Sequence, residues 1–165
     1  MNRKGFTLVE LLGVIVILSI VMLIAIPNIT STLERSKRQQ YVNDAKKMIS
    51  LVDYEIRKGE INKPAENKAI KITLAYLATN DLDKDADGVA YDLNESYVVV
   101  VRKNKELKYY VTLMAKHDNS FWGIRLKEKE ELSGEEWYNL VDKNLTTYTE
   151  EEIRNNVGAS TIQSY

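Results

Sequence analysis

Residues 6–27 read FTLVELLGVIVILSIVMLIAIP, and this stretch decides the fold. The 21 residues from Phe6 to Ile26 contain one charged side chain, that of Glu10. Because a helix rises about 1.5 Å per residue, they would cover roughly 31 Å, the thickness of the hydrocarbon core of a bilayer. The stretch can therefore span a membrane as a single helix.

Charge is distributed unevenly around this apolar stretch. Arg3 and Lys4 precede it, whereas no charged residue follows Pro27 until Glu34. The positive-inside rule therefore places the N-terminus in the cytoplasm and the rest of the chain outside. No A-x-A-like cleavage pattern follows the stretch, which disfavours an ordinary secretory signal. The simplest interpretation is a signal anchor.

The rest of the chain has the composition of one solvated domain. About a third of the residues from Pro27 onward are charged, with both signs interspersed. The chain of 165 residues has no cysteine, which excludes disulfides, thiol nucleophiles and Cys-ligated metals. The mixed charge offers no basic patch, so no specific nucleic acid partner is expected. No nucleophile–base pair or phosphate-binding loop stands out, so the sequence does not predict an enzyme.

Two residues do not fit a simple anchor. A carboxylate in an apolar membrane segment costs at least about 2.5 kcal/mol on insertion scales, so Glu10 needs a partner. Gly5 lies where the basic and apolar stretches meet, a position where a small residue makes a good cleavage site. Cleavage after Gly5 would create a new α-amino group on Phe6, four residues from Glu10.

Residues 4–10, KGFTLVE, followed by the apolar helix that ends at Pro27, resemble the N-terminal signature of type IV pilins. The related pseudopilins of type II secretion and competence systems share this signature, and the resemblance covers about residues 1–55. In this family a prepilin peptidase cuts after the glycine and methylates the new amino group. The resemblance therefore implies that Gly5 ends the leader, Phe6 is the methylated N-terminus and Glu10 is the carboxylate required for assembly.

A physical argument supports this role for Glu10. In a filament core of packed apolar helices, its carboxylate would meet the α-ammonium of Phe6 from a neighbouring subunit. Leaving either charge buried without the other costs about 3–5 kcal/mol, so the pair would set the axial register of the subunits. Cleavage would then act as a switch for assembly. The alternative is that Glu10 snorkels to the membrane interface.

The sequence predicts an α+β fold of the type IV pilin kind, with a long N-terminal α-helix packed on an antiparallel β-sheet and short helices in the C-terminal region. The expected segments are a leader at 1–5, a membrane and filament-core helix at 6–26, the second half of the long helix at 27–58 and a head domain at 59–165. We expect Pro27 to kink or loosen the helix and Gly59 to cap its end.

The head domain shows strand and helix signals in order along the chain. Residues 69–72 predict a brief strand, and 97–101, 107–114 and 121–126 predict an antiparallel meander in which Trp122, Ile124 and Leu126 face inward. Thr73 is expected to cap a short helix at 74–78. Two late helices are expected from capping boxes, which pair Ser133 with Glu136 and Thr149 with Glu152.

An acidic loop precedes the meander. Asp83, Asp85 and Asp87 alternate before a glycine, as at the start of an EF-hand calcium loop, but the twelfth position is Asn94 instead of a bidentate glutamate. Two interpretations remain open, a calcium site or an Asp-Gly turn that enters the sheet. His117 lies among polar and charged residues and is expected to be an exposed turn residue.

Taken together, the sequence predicts a structural subunit of an extracellular type IV pilus, acting in adhesion, surface motility or aggregation. Its expected partners are copies of itself, a prepilin peptidase, an inner-membrane assembly platform with its ATPase, and the lipid bilayer before assembly. A pseudopilin of a type II secretion or competence DNA-uptake system is the first alternative, and a monomeric membrane-anchored binding domain is the second. The lack of a disulfide, common in Gram-negative pilins, favours a Gram-positive source.

Overall fold

The computed structural model describes Gly5, residues 7–77, Thr79 and residues 82–165. Helix α1 runs from Leu8 to Lys58. Two compact units can be distinguished, of which the first ends at Ser36 and the second begins at Lys37. The second unit contains the whole of the folded core, and every strand described below belongs to it.

The end of α1 follows from its last residues. Arg57 and Lys58 place positive charge in the last turn, where the carbonyl ends of the helix concentrate negative charge. Gly59 then adopts φ +90°, and its N–H donates to the carbonyl of Ile56 at 3.3 Å. This left-handed residue reverses the chain, which confirms the predicted glycine cap.

Six strands form one sheet within the part of the chain that the structure describes. They are β1 (Lys68–Thr73), β2 (Tyr97–Lys103), β3 (Glu106–His117), β4 (Ser120–Glu128), β5 (Val141–Leu145) and β6 (Thr161–Ser164). Their order is β5-β4-β3-β2-β1-β6, with β6 parallel to β1 and all other neighbours antiparallel. The predicted meander of three strands is therefore the centre of a larger sheet.

One face of the sheet packs on α1. The helix contributes a buried stripe at the spacing of an amphipathic helix, made of Tyr41, Val42, Ala45, Met48, Ile49, Val52 and Ile56. Alternate residues of the central strands meet it, among them Val98, Val100, Val111 and Leu113. Ile29 and Leu33, the large apolar residues of α1 between Pro27 and Tyr41, are 57% and 56% exposed, so the buried stripe begins only at Tyr41.

The other face of the sheet is covered by a second helix. Helix α3 (Glu150–Val157) is capped by Thr149 and Glu152 as predicted, and it packs Ile153 and Val157 on the sheet. The opposite set of alternate residues, which includes Val99 and Val101, lies beneath it. Coverage on both faces explains why residues 98–101 form an uninterrupted run of valines, a pattern typical of a strand with no solvent-exposed face.

Two local predictions differ from the structure, and two strands were not predicted. Leu126 does not share the inward face of Ile124, because the β3–β4 register shifts between Val111 and Leu113, and Leu126 at φ +48° packs towards α3. Ser133 and Glu136 form no capping box; short 3-10 turns at Glu131–Ser133 and Trp137–Leu140 take the place of the expected helix. Strands β5 and β6 were not predicted.

The fold class is confirmed as α+β. A long apolar N-terminal helix is followed by a mostly antiparallel sheet and short helices, which agrees with the predicted pilin fold. Helix α2 (Leu74–Leu77) lies where a short helix was predicted, and the Thr73 hydroxyl accepts from the N–H of Tyr76 at 3.3 Å as its cap. Ala78, the last residue of the predicted helix, lies outside the described residues.

Candidate functional site

The start of α1 is a capping box built from Thr7 and Glu10. The carboxylate of Glu10 accepts from the Thr7 backbone N–H at 2.7 Å and from the Thr7 hydroxyl at 2.8 Å, while the Glu10 N–H donates to that hydroxyl at 3.3 Å. Glu10 is therefore held at the positive end of its own helix by contacts within one chain. The sequence signal for this arrangement is Thr-x-x-Glu ahead of an apolar run, and this capping box was not predicted.

Gly5 is exposed, and a Cβ added to it would meet no atom of the described residues within 4 Å. Packing among the described residues therefore does not require a glycine at this position. The other predicted junction residue, Phe6, lies outside the described residues, as do residues 1–4 of the leader.

The apolar half of α1 is exposed along its whole length. From Leu8 to Ile29 its large apolar side chains are 49–85% accessible, with side chains pointing in all directions around the helix. By length and composition α1 is able to cross a membrane, and it is the one such helix among the described residues. Water cannot solvate such a surface favourably, so it requires lipid or other apolar helices around it.

Pro27 lies inside α1 and does not end it. The residues before it, Ala25 and Ile26, remain α-helical, so the predicted loosening is absent there. Polar side chains donate to backbone carbonyls around the proline: Asn28 to that of Ile24 at 3.2 Å and Thr30 to that of Ile26 at 3.0 Å. Both are bonds to the carbonyl four residues earlier, and neither reaches the carbonyl of Leu23, which the missing N–H of Pro27 would have bonded.

The acidic loop is organised around Asp85, whose side chain is fully buried. Its Oδ2 accepts from the Tyr41 hydroxyl at 2.7 Å and lies 2.5 Å from His117 Nε2. Its Oδ1 accepts from the backbone N–H groups of Asp87 and Val89, each at 2.9 Å. Asp85 thus joins the loop to α1 and to the end of β3.

The other two predicted calcium ligands differ in position. Asp87 is partly exposed and forms an ion pair with Lys37 at 2.6 Å. Asp83 is exposed, and its carboxylate is not among the ligand atoms of Asp85, Asp87 and His117, which lie within 4.8 Å of one another. The structure thus groups two of the three aspartates with a histidine. Calcium binding by Asp83, Asp85 and Asp87 stays a prediction.

His117 is not the exposed turn residue that was expected. Its side chain is 11% exposed, and its ring stacks on Trp122 with centroids 4.1 Å apart and planes 6° from parallel. Asp85 is 32 positions away in sequence, which is why no local pattern connects the two residues.

The electrostatics of the loop follow from these contacts. Burial by itself raises the pKa of Asp85, but hydrogen bonds from Tyr41, His117 and the backbone of Val89 and Asp87 outweigh it and hold the pKa below its usual value. Burial and the neighbouring Asp85 carboxylate raise the pKa of Tyr41 far above its usual value. Tyr41 is therefore a hydroxyl donor, and Asp85 a carboxylate acceptor, throughout the neutral range.

A pH prediction follows from Asp85. Because its pKa is lower in the folded than in the unfolded chain, its stabilising contribution is complete above about pH 4 and is lost as the pH falls through the folded-state pKa. We expect Asp85→Asn to lower the free energy of unfolding at pH 7 by about 2–3 kcal/mol and to make its decline in acid shallower. Denaturant unfolding of the full chain in detergent, followed by tryptophan fluorescence at several pH values, measures both effects. Asp83→Asn is the control, and an identical pH profile for Asp85→Asn and the unsubstituted chain would contradict the prediction.

Comparison with known proteins bears on the N-terminal segment. Residues 1–26 match the family described as "Prokaryotic N-terminal methylation motif". Competence protein ComGC of Bacillus subtilis is 67% identical over 30 residues, which are 18% of this chain and 31% of that protein. The "ComG operon protein 3 homolog" of Bacillus licheniformis is 60% identical over 30 residues, with the same coverage.

These similarities have a defined extent. The chain matches 31% of the length of the curated relatives, and no solved structure matches it significantly. The predicted resemblance to prepilin-type proteins is thus confirmed for the N-terminal region. The motif implies processing by a prepilin peptidase, and with the apolar helix it fits a membrane-anchored precursor.

Proposed function

We propose that this chain is the structural subunit of an extracellular filament of the type IV pilus class. It enters the membrane with its N-terminus in the cytoplasm, is cleaved after Gly5, is methylated on Phe6 and polymerises through α1. The observation that carries this proposal is the methylation motif at residues 1–26 on a helix whose apolar side chains are exposed on every side.

The exposed apolar surface supports both stages of this pathway. Before assembly, the bilayer surrounds α1 from Leu8 to Ile26. After assembly, the same side chains are buried against α1 helices of neighbouring copies. Removing apolar surface from water is favourable by about 25 cal/mol for each Å², so exposing this helix to water would be costly. Lipid covers it before assembly and other helices cover it afterwards, so it is transferred from lipid to filament without passing through water.

Glu10 supplies specificity where apolar packing cannot. Apolar helices slide past one another with little change in energy, whereas a buried carboxylate has one favourable register, next to the α-ammonium of Phe6 from another copy. In the precursor, the capping box with Thr7 satisfies the carboxylate. Cleavage after Gly5 creates its ionic partner, so processing precedes assembly.

Two kinds of filament fit this mechanism. The names of the Bacillus relatives point to a competence pseudopilus. The 30 matched residues make up 31% of each relative, so those proteins are shorter than this chain of 165 residues. The larger head of this chain favours a pilus. We propose a pilus for adhesion, surface motility or aggregation, with the competence pseudopilus as the second candidate.

The proposal requires partners that this chain does not encode. They are the prepilin peptidase, an inner-membrane assembly platform, and an ATPase that drives extraction of the subunit from the bilayer. The largest set of contacts is with other copies of the chain.

Electron microscopy of surface appendages, with mass spectrometry of their subunit, tests the proposal. We expect long filaments whose subunit begins at methylated Phe6; short structures seen only in competent cells would select the pseudopilus. Gly5→Leu is the matched variant, expected to retain the leader and to form no filaments. Full-length, uncut protein found only in the membrane of the unsubstituted strain would contradict both kinds of filament and favour the monomeric anchored domain.

A further inference from the structure

Three side chains that can bind a metal ion lie close together beside the part of α1 that begins the second unit. Asp85 and Asp87 come from the acidic loop, and His117 comes from the end of β3. Their ligand atoms all lie within 4.8 Å of one another. Two carboxylate oxygens and one imidazole nitrogen are a donor set suited to first-row transition metals, whereas calcium prefers oxygen alone.

The two inner donors are held in place by their surroundings. The Asp85 carboxylate is oriented by two backbone N–H groups on Oδ1 and by the Tyr41 hydroxyl on Oδ2. The His117 ring is fixed by its parallel stack on Trp122. Outer partners of this kind orient ligands in known metal sites, and here they exist before any ion is added.

The third donor gives access from solvent. The Asp87 side chain is 32% exposed, so an ion can reach the cluster without opening the core. The carboxylate already holds an internal cation, the ammonium of Lys37 at 2.6 Å. A positive charge is thus stable at this position, and Lys37 would compete with a metal ion for Asp87.

We propose that Asp85, Asp87 and His117 bind a divalent first-row transition metal such as Zn²⁺, and that Lys37 occupies Asp87 when the ion is absent. Ligand atoms on one tetrahedral zinc lie about 3.3 Å apart. His117 Nε2 and Asp85 Oδ2, now 2.5 Å apart, therefore separate by less than 1 Å to admit it. Three protein ligands leave one coordination position for water.

The bound ion would fasten the acidic loop to the end of β3. The loop is already tied to α1 through the bonds of Tyr91 to Asp44 at 2.7 Å and of Gln40 to the Lys84 carbonyl at 3.1 Å. Asp85 already joins the loop to the end of β3 through His117, and the metal would replace this contact by bonds from both side chains to one ion. This inference is independent of the proposed function, since it concerns residues that take no part in cleavage after Gly5 or in the pairing of Glu10 with Phe6.

Isothermal titration of the full chain in detergent, stripped of metal with a chelator and then titrated with Zn²⁺, tests the proposal. We expect saturable binding of one ion and a rise in the melting temperature. Co²⁺ should bind with the intense visible absorption bands of a tetrahedral site. His117→Gln and Asp87→Asn should each abolish saturable binding; Asp87 is outside the core, so its variant keeps the test valid if His117→Gln does not fold.

Two further variants separate this site from its alternatives. Lys37→Gln removes the internal cation and should bind Zn²⁺ several-fold more tightly than the unsubstituted chain, whereas Asp83→Asn should bind equally well. No saturable Zn²⁺ binding, or binding unaffected by His117→Gln and Asp87→Asn, overturns the proposal. So does a preference for Ca²⁺ that is lost in Asp83→Asn, which would establish the calcium loop. Unchanged affinity in Lys37→Gln overturns the role of Lys37.

Discussion

Filaments should be absent from cells that carry Glu10→Gln, although the subunit is cut and inserted normally. Gln keeps the length of the side chain, and its amide oxygen can still accept from Thr7, so the capping box survives. The charge is lost, which leaves the α-ammonium of Phe6 buried without its partner. That costs about 3–5 kcal/mol at each subunit contact, or roughly a hundredfold to several thousandfold in affinity.

Counting filaments by electron microscopy, with immunoblots of cleaved subunit in the membrane fraction, measures this effect. Thr7→Ala is the complementary variant, because it removes the hydroxyl of the capping box and keeps the charge of Glu10. The loss of the cap should lower the stability of the helix by about 1 kcal/mol. We expect it to assemble in reduced amounts. Ser19→Ala, which loses only a bond to the Ile15 carbonyl, should assemble normally. Normal filaments from Glu10→Gln would contradict the ionic pairing of Glu10 with Phe6, because the capping box, which this variant keeps, would then be sufficient for assembly.

Gly123→Ala should destabilise the head by about 3 kcal/mol or more. Gly123 in β4 has φ +147°, and a Cβ there would lie 1.9 Å from the Leu113 carbonyl oxygen of the neighbouring strand. That oxygen belongs to the backbone beside the register shift, so it cannot move without separating β3 from β4. The corresponding fall in melting temperature is roughly 10 °C for a chain of this size.

Thermal unfolding of the full chain in detergent, followed by tryptophan fluorescence, measures this fall. Gly134→Ala is the matched control, because Gly134 has an ordinary φ of -68° and its added Cβ would approach one carbonyl at 3.3 Å. We expect a change of less than about 1 kcal/mol from it. Equal melting temperatures for the two variants would mean that β4 can relax around the extra carbon.

Local patterns predicted the elements whose partners lie close in sequence. The end of α1 is set by its basic last turn and Gly59, and α3 begins at the box of Thr149 and Glu152. The hairpins of the meander join strands that are consecutive in the chain, so alternation and turn residues located them. In each case the deciding interaction spans only a few residues.

Features that depend on distant partners were missed. Strand β6 pairs in parallel with β1, which lies nearly a hundred residues earlier in the chain. A strand of four residues is also too short to give a periodic signal. The inward face of Leu126 was predicted from alternation, which a single-residue bulge reverses. The burial of His117 arises from Trp122 and from Asp85, a residue on a loop far away in sequence.

The sequence by itself determined that α1 needs an apolar environment and that one carboxylate lies within it. It also determined that the N-terminal segment resembles a prepilin, because these properties depend on consecutive residues. Only the tertiary structure decided that the sheet is covered on both faces, and that Asp85, Asp87 and His117 form one cluster. The reason is physical: hydrophobicity and helix capping act locally, whereas the position of a buried charge depends on whichever donors the fold brings around it.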